Sequence, residues 1–243
     1  MKVAFVSGAS GGIGLEICRA LIKSEYVVIG QYNSNENSLL NLKIELKEKG
    51  EFLHTVKCDF SKANCVEECM DNLLKKYKKI DLVVNNAGID LYKLFDMTDN
   101  EEWDRVMNVN LKSAFIVTKK AVKEMIWAKS GSIIFISSVW GQVGASMESV
   151  YSASKSALIG LSVSLAKELE PSNVRVNCIC PGVIDTAMNK NFSFSEMQDI
   201  ILDIPFKRIG SSKEVADLVA FLVSDKAKSI TGEVITLDGG YTL

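Results

Sequence analysis

S-G-A-S-G-G-I-G, residues 7–14, decides how the rest of the chain is read. Its glycines at 8, 12 and 14 follow the spacing G-x-x-x-G-x-G. An apolar run at 3–6 precedes it and reads as a strand. A helical pattern follows from about 12 to 23. Each glycine has a physical use in that position. Gly8 permits a tight turn, Gly12 lets a phosphate approach the backbone, and Gly14 lets the helix pack closely on the strand. The helix start adds free N–H groups and the positive end of a dipole, which suit a pyrophosphate. A bare glycine turn is the plain alternative. The strand before the loop, the helix after it and its place at the head of the chain favour a dinucleotide site. Gly8, Gly12 and Gly14, with Ser10 and Ile13 of the same loop, are therefore candidate cofactor contacts.

Outward from the loop, short apolar runs alternate with longer amphipathic stretches. Strands are expected at 3–6, 26–30, 52–58, 80–84, 132–136, 174–179 and 233–237. Helices are expected at 12–23, 36–49, 62–77, 100–128 and 149–170, the last ended by Pro171. Apolar strands between helices imply an α/β protein, a doubly wound parallel sheet covered on both faces. No linker, repeat or low-complexity segment divides the 243 residues, so one domain, 1–243, is expected. The least regular stretch, 185–209, reads as a substrate-side lid or as a surface excursion.

Composition narrows the partners. Hydrophobic residues make up 47% and charged residues 24%, a globular balance. With 28 basic and 30 acidic residues the net charge is −2, which gives no reason to expect nucleic acid or an anionic membrane as partner. The cluster Lys75, Lys76, Lys78, Lys79 reads as a solvated helix end. The first residues enter a strand pattern directly, with no secretory signal, and no apolar run reaches the roughly 18 residues of a membrane helix. A cytoplasmic location is expected. The six cysteines, Cys18, Cys58, Cys65, Cys69, Cys178 and Cys180, form no C-x-x-C pair and complete no ligand set. They read as buried reduced thiols, and no metal is expected.

The second strand ends in Gly30-Gln31-Tyr32-Asn33-Ser34-Asn35, with no carboxylate before Glu36. An acid there would hold a ribose 2′-hydroxyl and repel a 2′-phosphate. Its absence, with Asn33 as a neutral donor, favours NADPH, with NADH as the alternative. No nearby arginine or lysine in the sequence supplies a clamp.

Four further segments carry chemistry: N-N-A-G at 85–88, N-V-N at 108–110, S-S-V-W-G at 137–141 and Y-S-A-S-K at 151–155. Taken with the glycine loop, P-G-V-I-D-T at 181–186 and I-T-G-E-V-I-T-L-D-G-G at 230–240, they resemble the short-chain dehydrogenase/reductase family over the whole chain. The resemblance implies a Rossmann fold and a ketone reductase. It implies Tyr151 as proton donor, Lys155 as its neighbour and ribose ligand, Ser138 as the group that positions the carbonyl, and Asn110 as holder of a relay water. A free tyrosine titrates at about 10, too high for proton exchange at neutral pH. Lys155 lies one helical turn on, where its cation would lower that value. The only histidine, His54, is then not needed. The resemblance also places Asp59 at the adenine (or as a cap of the next helix), Asn86, Ala87 and Gly88 on the adenosine side, Pro181, Gly182, Val183 and Ile184 beside the nicotinamide, and Thr186 near its carboxamide. A protein that binds nucleotide and regulates without turnover is the alternative of another class. The complete tetrad argues against it.

The pattern looks most like 3-oxoacyl-acyl-carrier-protein reductases. Carrier docking in that group uses basic residues near two helix ends. Lys129 is present, but Glu170-Pro171-Ser172-Asn173 brings no positive charge. A narrower resemblance, to reductases of the aminopentanone-modified lysine of elongation factor P, rests on Trp140 within 137–151 and on M-N-K-N-F-S-F-S-E at 188–196. Trp140 would then shape the carbonyl site; a packing role is the alternative. The family commonly forms homotetramers. The apolar stripe Ala114, Val117, Ala121, Val122, Met125 reads either as an interface or as core.

Overall fold

A computed structural model describes residues 1–188 and 193–243 of the protein. Along the chain run β1 (Lys2–Val6), α1 (Gly12–Lys23), β2 (Tyr26–Tyr32), α2 (Asn37–Leu46), β3 (Leu53–Lys57), α3 (Ala63–Tyr77) and β4 (Leu82–Asn85). Then come α4 (Asn100–Met107), α5 (Ser113–Ala128), β5 (Gly131–Ile136), α6 (Trp140–Val143), α7 (Ser149–Leu169), β6 (Val174–Pro181), α8 (Phe194–Asp203), α9 (Ser212–Val223) and β7 (Val234–Leu237). The strands form one parallel sheet in the order β3-β2-β1-β4-β5-β6-β7. This is the expected doubly wound α/β fold. The order reverses between β1 and β4, where such sheets open a crevice at the carboxyl ends of their strands.

The alternation of side chains along buried strands explains why the runs are apolar throughout. Ala4 and Val6 face one core, with Leu82, Val84, Ile134, Ile136 and Ile179. Phe5 faces the other, with Val83, Ile133, Phe135, Val176 and Cys178. Both faces are covered, so both registers of the period-two pattern must be hydrophobic. α1 and α9 close the first core through Ile17, Leu21, Val215 and Val219.

Four elements depart from the sequence reading, the short α6 among them. The single helix expected over 100–128 is interrupted by a π-helical turn at Asn108–Lys112, a wider turn of the kind found at functional positions. α9 occupies a stretch to which periodicity assigned no element. α8 lies inside the segment 185–209 that looked irregular. Both begin with capping boxes, Ser193 with Glu196 and Ser211 with Glu214. The S-x-x-E signature followed by apolar residues was the available signal. The first residues of 188–196 include 189–192, which lie outside the described residues.

The stripe on α5 is core. Ala114, Val117, Ala121 and Met125 are at most 5% exposed within this one chain, and Val122 packs against the same core. The six cysteines are free thiols. Cys65 and Cys69 are partly exposed, and the Cys58 and Cys65 sulfurs lie 3.3 Å apart. Among the described residues no helix is long and apolar enough to cross a membrane.

Candidate active site

The glycine loop is stitched to its neighbours by buried side chains. Ser7 Oγ accepts hydrogen bonds from the N–H groups of Asn86 (2.9 Å) and Ala87 (3.0 Å). The Asn86 amide donates to the Ser7 and Gly8 carbonyls. These bonds fix the ends of β1 and β4 together at the switch point. Gln31 does the same on the other side, accepting from Gly8 N–H (2.8 Å) and donating to the Cys58 carbonyl (2.7 Å). Gly8 has φ +60, and a Cβ there would stand 2.8 Å from Ala87 Cα. Only glycine satisfies both the left-handed backbone and that approach. α1 starts at Gly12 with no acidic residue in its first turn and no side-chain cap, so its leading N–H groups face the loop without competition.

Two cavities share this loop. One, of about 410 Å³, is lined by Ser10, Asn33, Asp59, Ser61, Gly88 and Arg105, among others. The other, of about 200 Å³, is lined by Gly12, Ile13, Gly14, Asn86 and Thr186, with Gly8, Gly11, Ala87 and Gly88 common to both. A third, of about 130 Å³, adjoins them at Met188 and is lined by Ser138, Trp140, Tyr151, Gly182 and Val183. Pro181 and Ile184 stand aside from all three. Ile184 is buried in the α1–α9 core, and Pro181 closes β6.

Asp59 does not stand free. Its carboxylate accepts from the Ser61 N–H and hydroxyl, a capping geometry that holds it below the usual carboxylate range. Glu36, the first acid after β2, accepts from the Thr55 hydroxyl (2.9 Å) and is absent from the cavity lining that includes Asn33. Arg105 is the residue the sequence reading missed. It lies more than seventy positions beyond Asn33, yet α4 brings it to the same cavity, one turn before Val109. No local signal marks it; the sheet order does the placing.

The catalytic candidates converge beside Gly88. Ser137 Oγ donates to the Lys155 carbonyl (2.8 Å), tying α7 to the end of β5. Lys155, 4% exposed, donates from Nζ to the Ile136 carbonyl (2.9 Å), and its Nζ lies 5.6 Å from the centre of the Tyr151 ring. A Cβ on Gly88 would stand 3.3 Å from that Nζ and 3.6 Å from Asn110 Oδ1. The π turn aims Asn110 inward. Its Oδ1 accepts from Ile89 N–H (2.8 Å), and its Nδ2 donates to the Ile89 carbonyl (2.9 Å) and to Ser154 Oγ (3.0 Å). Ser138 is 7% exposed, and its hydroxyl accepts from Trp140 N–H. Trp140 meets Tyr241 edge-on, with ring centres 5.7 Å apart.

Burial dominates the electrostatics here. It pushes the Tyr151 phenol well above its ordinary range. A hydrogen bond with Ser138 works against this, while the negative charges of Glu148 and Asp90 add to it. Burial pushes Lys155 down to about 8. Burial is the largest cause of both shifts, and Lys155 is not among the causes of the shift at Tyr151.

A fold of this topology, with a glycine cradle and a buried Tyr–Lys pair, agrees with the comparison to known proteins. The family model for short chain dehydrogenases matches residues 2–196. The chain belongs to the short-chain dehydrogenase family. An uncharacterized oxidoreductase of Bacillus subtilis is 35% identical over 99% of this chain and 98% of its own length. Two 3-oxoacyl-[acyl-carrier-protein] reductases, of Buchnera aphidicola and Chlamydia trachomatis, are 35% and 36% identical over 98% of the chain and 96% of theirs. As a short-chain dehydrogenase the protein is an oxidoreductase acting on a CH–OH or C=O group, and the family uses a nicotinamide cofactor. The site fits that cofactor. A Cβ at Gly12 would stand 3.1 Å from Ser212 Oγ and 3.2 Å from Thr186 Cγ2, so the absence of a side chain there keeps the phosphate cradle open.

Proposed function

We propose that the protein is an NADPH-dependent ketone reductase of the 3-oxoacyl type, with Tyr151 as proton donor. The observation that carries this reading is the continuity of the three cavities, from Asn33 and Arg105 through Gly12 to the buried Ser138 and Tyr151. When bound, the reduced nicotinamide supplies a hydride to the carbonyl carbon. Ser138 donates a hydrogen bond to the carbonyl oxygen and orients it. Tyr151 gives its phenolic proton to that oxygen as negative charge develops. The Lys155 ammonium, with donors left after its bond to Ile136, stabilises the phenolate. Asn110 clamps the Ile89 backbone to α7. A water relaying protons toward Lys155 uses the lone pair of Oδ1 that Ile89 leaves. Gly182 and Val183 would hold the nicotinamide end, and the described part of 185–209, which brings Met188 and Ile200 to the substrate cavity, would act as the substrate-side lid.

The preference for NADPH over NADH is supported by the cavity that holds Asn33, Ser61 and Arg105 while Glu36 is occupied by Thr55. A guanidinium adds a charge-assisted bond to a 2′-phosphate, worth about 1.5–3 kcal/mol. Arg105→Gln is therefore expected to raise KM for NADPH about tenfold or more and leave KM for NADH nearly unchanged. Equal effects on both cofactors would reject this role.

The direct test is oxidation of NADPH by the purified protein with an acetoacetyl thioester, beside elongation factor P carrying the 5-aminopentanone modification. Turnover of the thioester supports the 3-oxoacyl reading. Oxidation of NADPH with neither ketone would revive a nucleotide-binding protein without turnover. Turnover of the modified factor alone supports the second reading, which two observations favour. Trp140 lines the cavity with Ser138 and Tyr151. At the helix ends proposed for carrier docking, Lys129 Nζ donates to the Pro171 carbonyl and Asn173 to the Lys129 carbonyl, so residues 170–173 meet that lysine with a carbonyl and an amide rather than with a second cation. Homotetramer formation belongs to the same proposal: α5 leaves Phe115, Ile126 and Trp127 exposed.

A further inference from the structure

Three of the six thiols gather at one place, beside the larger cavity of the glycine loop. Cys58 follows β3 directly and is 1% exposed. Its sulfur lies 3.3 Å from that of Cys65, in the first turn of α3. Cys69 comes one turn later on the same helix, and both α3 thiols are partly exposed. Hydrogen bonding with Cys69, then burial, then hydrogen bonding with Cys65 push the Cys58 thiol up. Cys58 therefore stays protonated, and the accessible thiols on α3 meet an oxidant first. Sulfurs 3.3 Å apart need about 1.2 Å of further approach to form a disulfide.

The chain between Cys58 and Cys65 is the cavity wall. Asp59, Phe60 and Ser61 line the cavity that also holds Asn33 and Arg105. The Cys58 backbone is pinned on its other side. Its N–H donates to the Tyr32 carbonyl (2.9 Å). Its carbonyl accepts from Gln31 (2.7 Å), which in turn accepts from the Gly8 N–H of the glycine loop (2.8 Å). α3 begins more loosely, with no side-chain cap and with the Lys62 N–H 3.2 Å from the Asp59 carbonyl. Joining the sulfurs draws the uncapped first turn of α3 toward a pinned strand end, and residues 59–61 must shift between them.

We infer that Cys58 and Cys65 are an oxidisable pair whose disulfide reshapes the Asp59–Ser61 wall and weakens the hold on the cofactor. The oxidant class is a peroxide. The Cys65 sulfur attacks one peroxide oxygen, an S–O bond forms and the O–O bond breaks. The departing hydroxide takes the thiol proton as water and leaves a sulfenic acid. The Cys58 sulfur then attacks the Cys65 sulfur, the S–S bond forms and the S–O bond breaks. The second hydroxide leaves as water with the Cys58 proton. Two thiols give up two electrons and two protons, and one peroxide becomes two waters. The inference goes beyond the reductase reading and asks only that this cavity receives the nucleotide.

The test follows the reduced protein before and after hydrogen peroxide, by mass mapping of non-reduced peptides and by fluorescence titration of NADPH. Peroxide is expected to yield a peptide linked through Cys58 and Cys65 and to weaken NADPH binding about tenfold. Dithiothreitol should reverse both, as it would not reverse methionine oxidation. Cys65→Ser should keep its NADPH affinity after peroxide, while Cys69→Ser should still form the link and still lose affinity. Four results would overturn the inference: no linked peptide, a Cys58–Cys69 link in its place, a loss of affinity that survives in Cys65→Ser, or a loss that dithiothreitol does not restore. A linked peptide with unchanged NADPH affinity would overturn the coupling and leave the reductase reading standing. Failure of the reduced protein to bind NADPH would reject both.

Discussion

Tyr151→Phe is expected to lower kcat for ketone reduction about a thousandfold while leaving NADPH affinity within about twofold. The substitution keeps the ring, which is 8% exposed and lies 5.6 Å from Lys155 Nζ, and removes the hydroxyl that carries the proton. Ser138 still orients the carbonyl, and the glycine loop is untouched. The loss therefore falls on kcat rather than on binding. Stopped-flow turnover with a fluorescence titration of NADPH separates the two; an unchanged kcat would sink the proton-donor role. The same pair sets a pH dependence. Burial lowers Lys155 to about 8, so its ammonium is present below that value and lost as pH rises through it. On the proposed role of the charged lysine in stabilising the phenolate, kcat/KM for NADPH, which reports groups of the free enzyme, should decline above about pH 8, approaching tenfold per unit. A flat profile across that range would mean that Lys155 serves in its neutral form.

Gly14→Ala is the second large effect, on stability and cofactor affinity together. The added Cβ would collide with the Gly8 carbonyl oxygen and stand 2.7 Å from Ala9 Cα. Both are backbone atoms of the loop, so no side chain can rotate away. Relief requires α1 to move off the loop, but α1 is held from behind by Ile17, Leu21 and Ile22, each at most 1% exposed, packed with α9 in one core. Overpacking of this kind costs about 2–4 kcal/mol. For a protein of this length that corresponds to a fall in Tm of about 5–15 °C. The displaced loop should also weaken NADPH binding about tenfold. A thermal melt and a cofactor titration that both match the parent protein would show that the loop and helix are less tightly coupled than their packing implies.

Much of the fold and of the site is legible in the residue order. The glycine loop, the strand–helix alternation and the Tyr151–Lys155 spacing are local patterns, set by periods of two and 3.6 residues. The capping boxes that open α8 and α9 are equally local, but apolar periodicity alone does not single out helices of 10 and 12 residues. α1, also of 12 residues, is marked by the glycine loop instead. The π turn is not legible. Asn108–Lys112 has an ordinary helical composition, and the wider turn is stabilised by the bonds of Asn110 to Ile89 and Ser154, partners 21 and 44 positions away. Arg105 is invisible in the sequence for the same reason. It lines one cavity with Asn33 only because β4 is inserted beside β1, which swings α4 over that end of the cleft.

The line between what is local and what is not follows the range of the forces. Element type, the both-sides-buried sheet and the one-turn spacing of Tyr151 and Lys155 depend on neighbours within a turn or a pleat, so the residue order settles them. The titration of that pair does not. The Tyr151 phenol is raised and the Lys155 ammonium lowered because β5, β6 and the loops at Asp90 and Glu148 exclude water and place charge around α7. Desolvation and the field of distant carboxylates are sums over everything packed nearby, and only the folded chain brings those residues within reach.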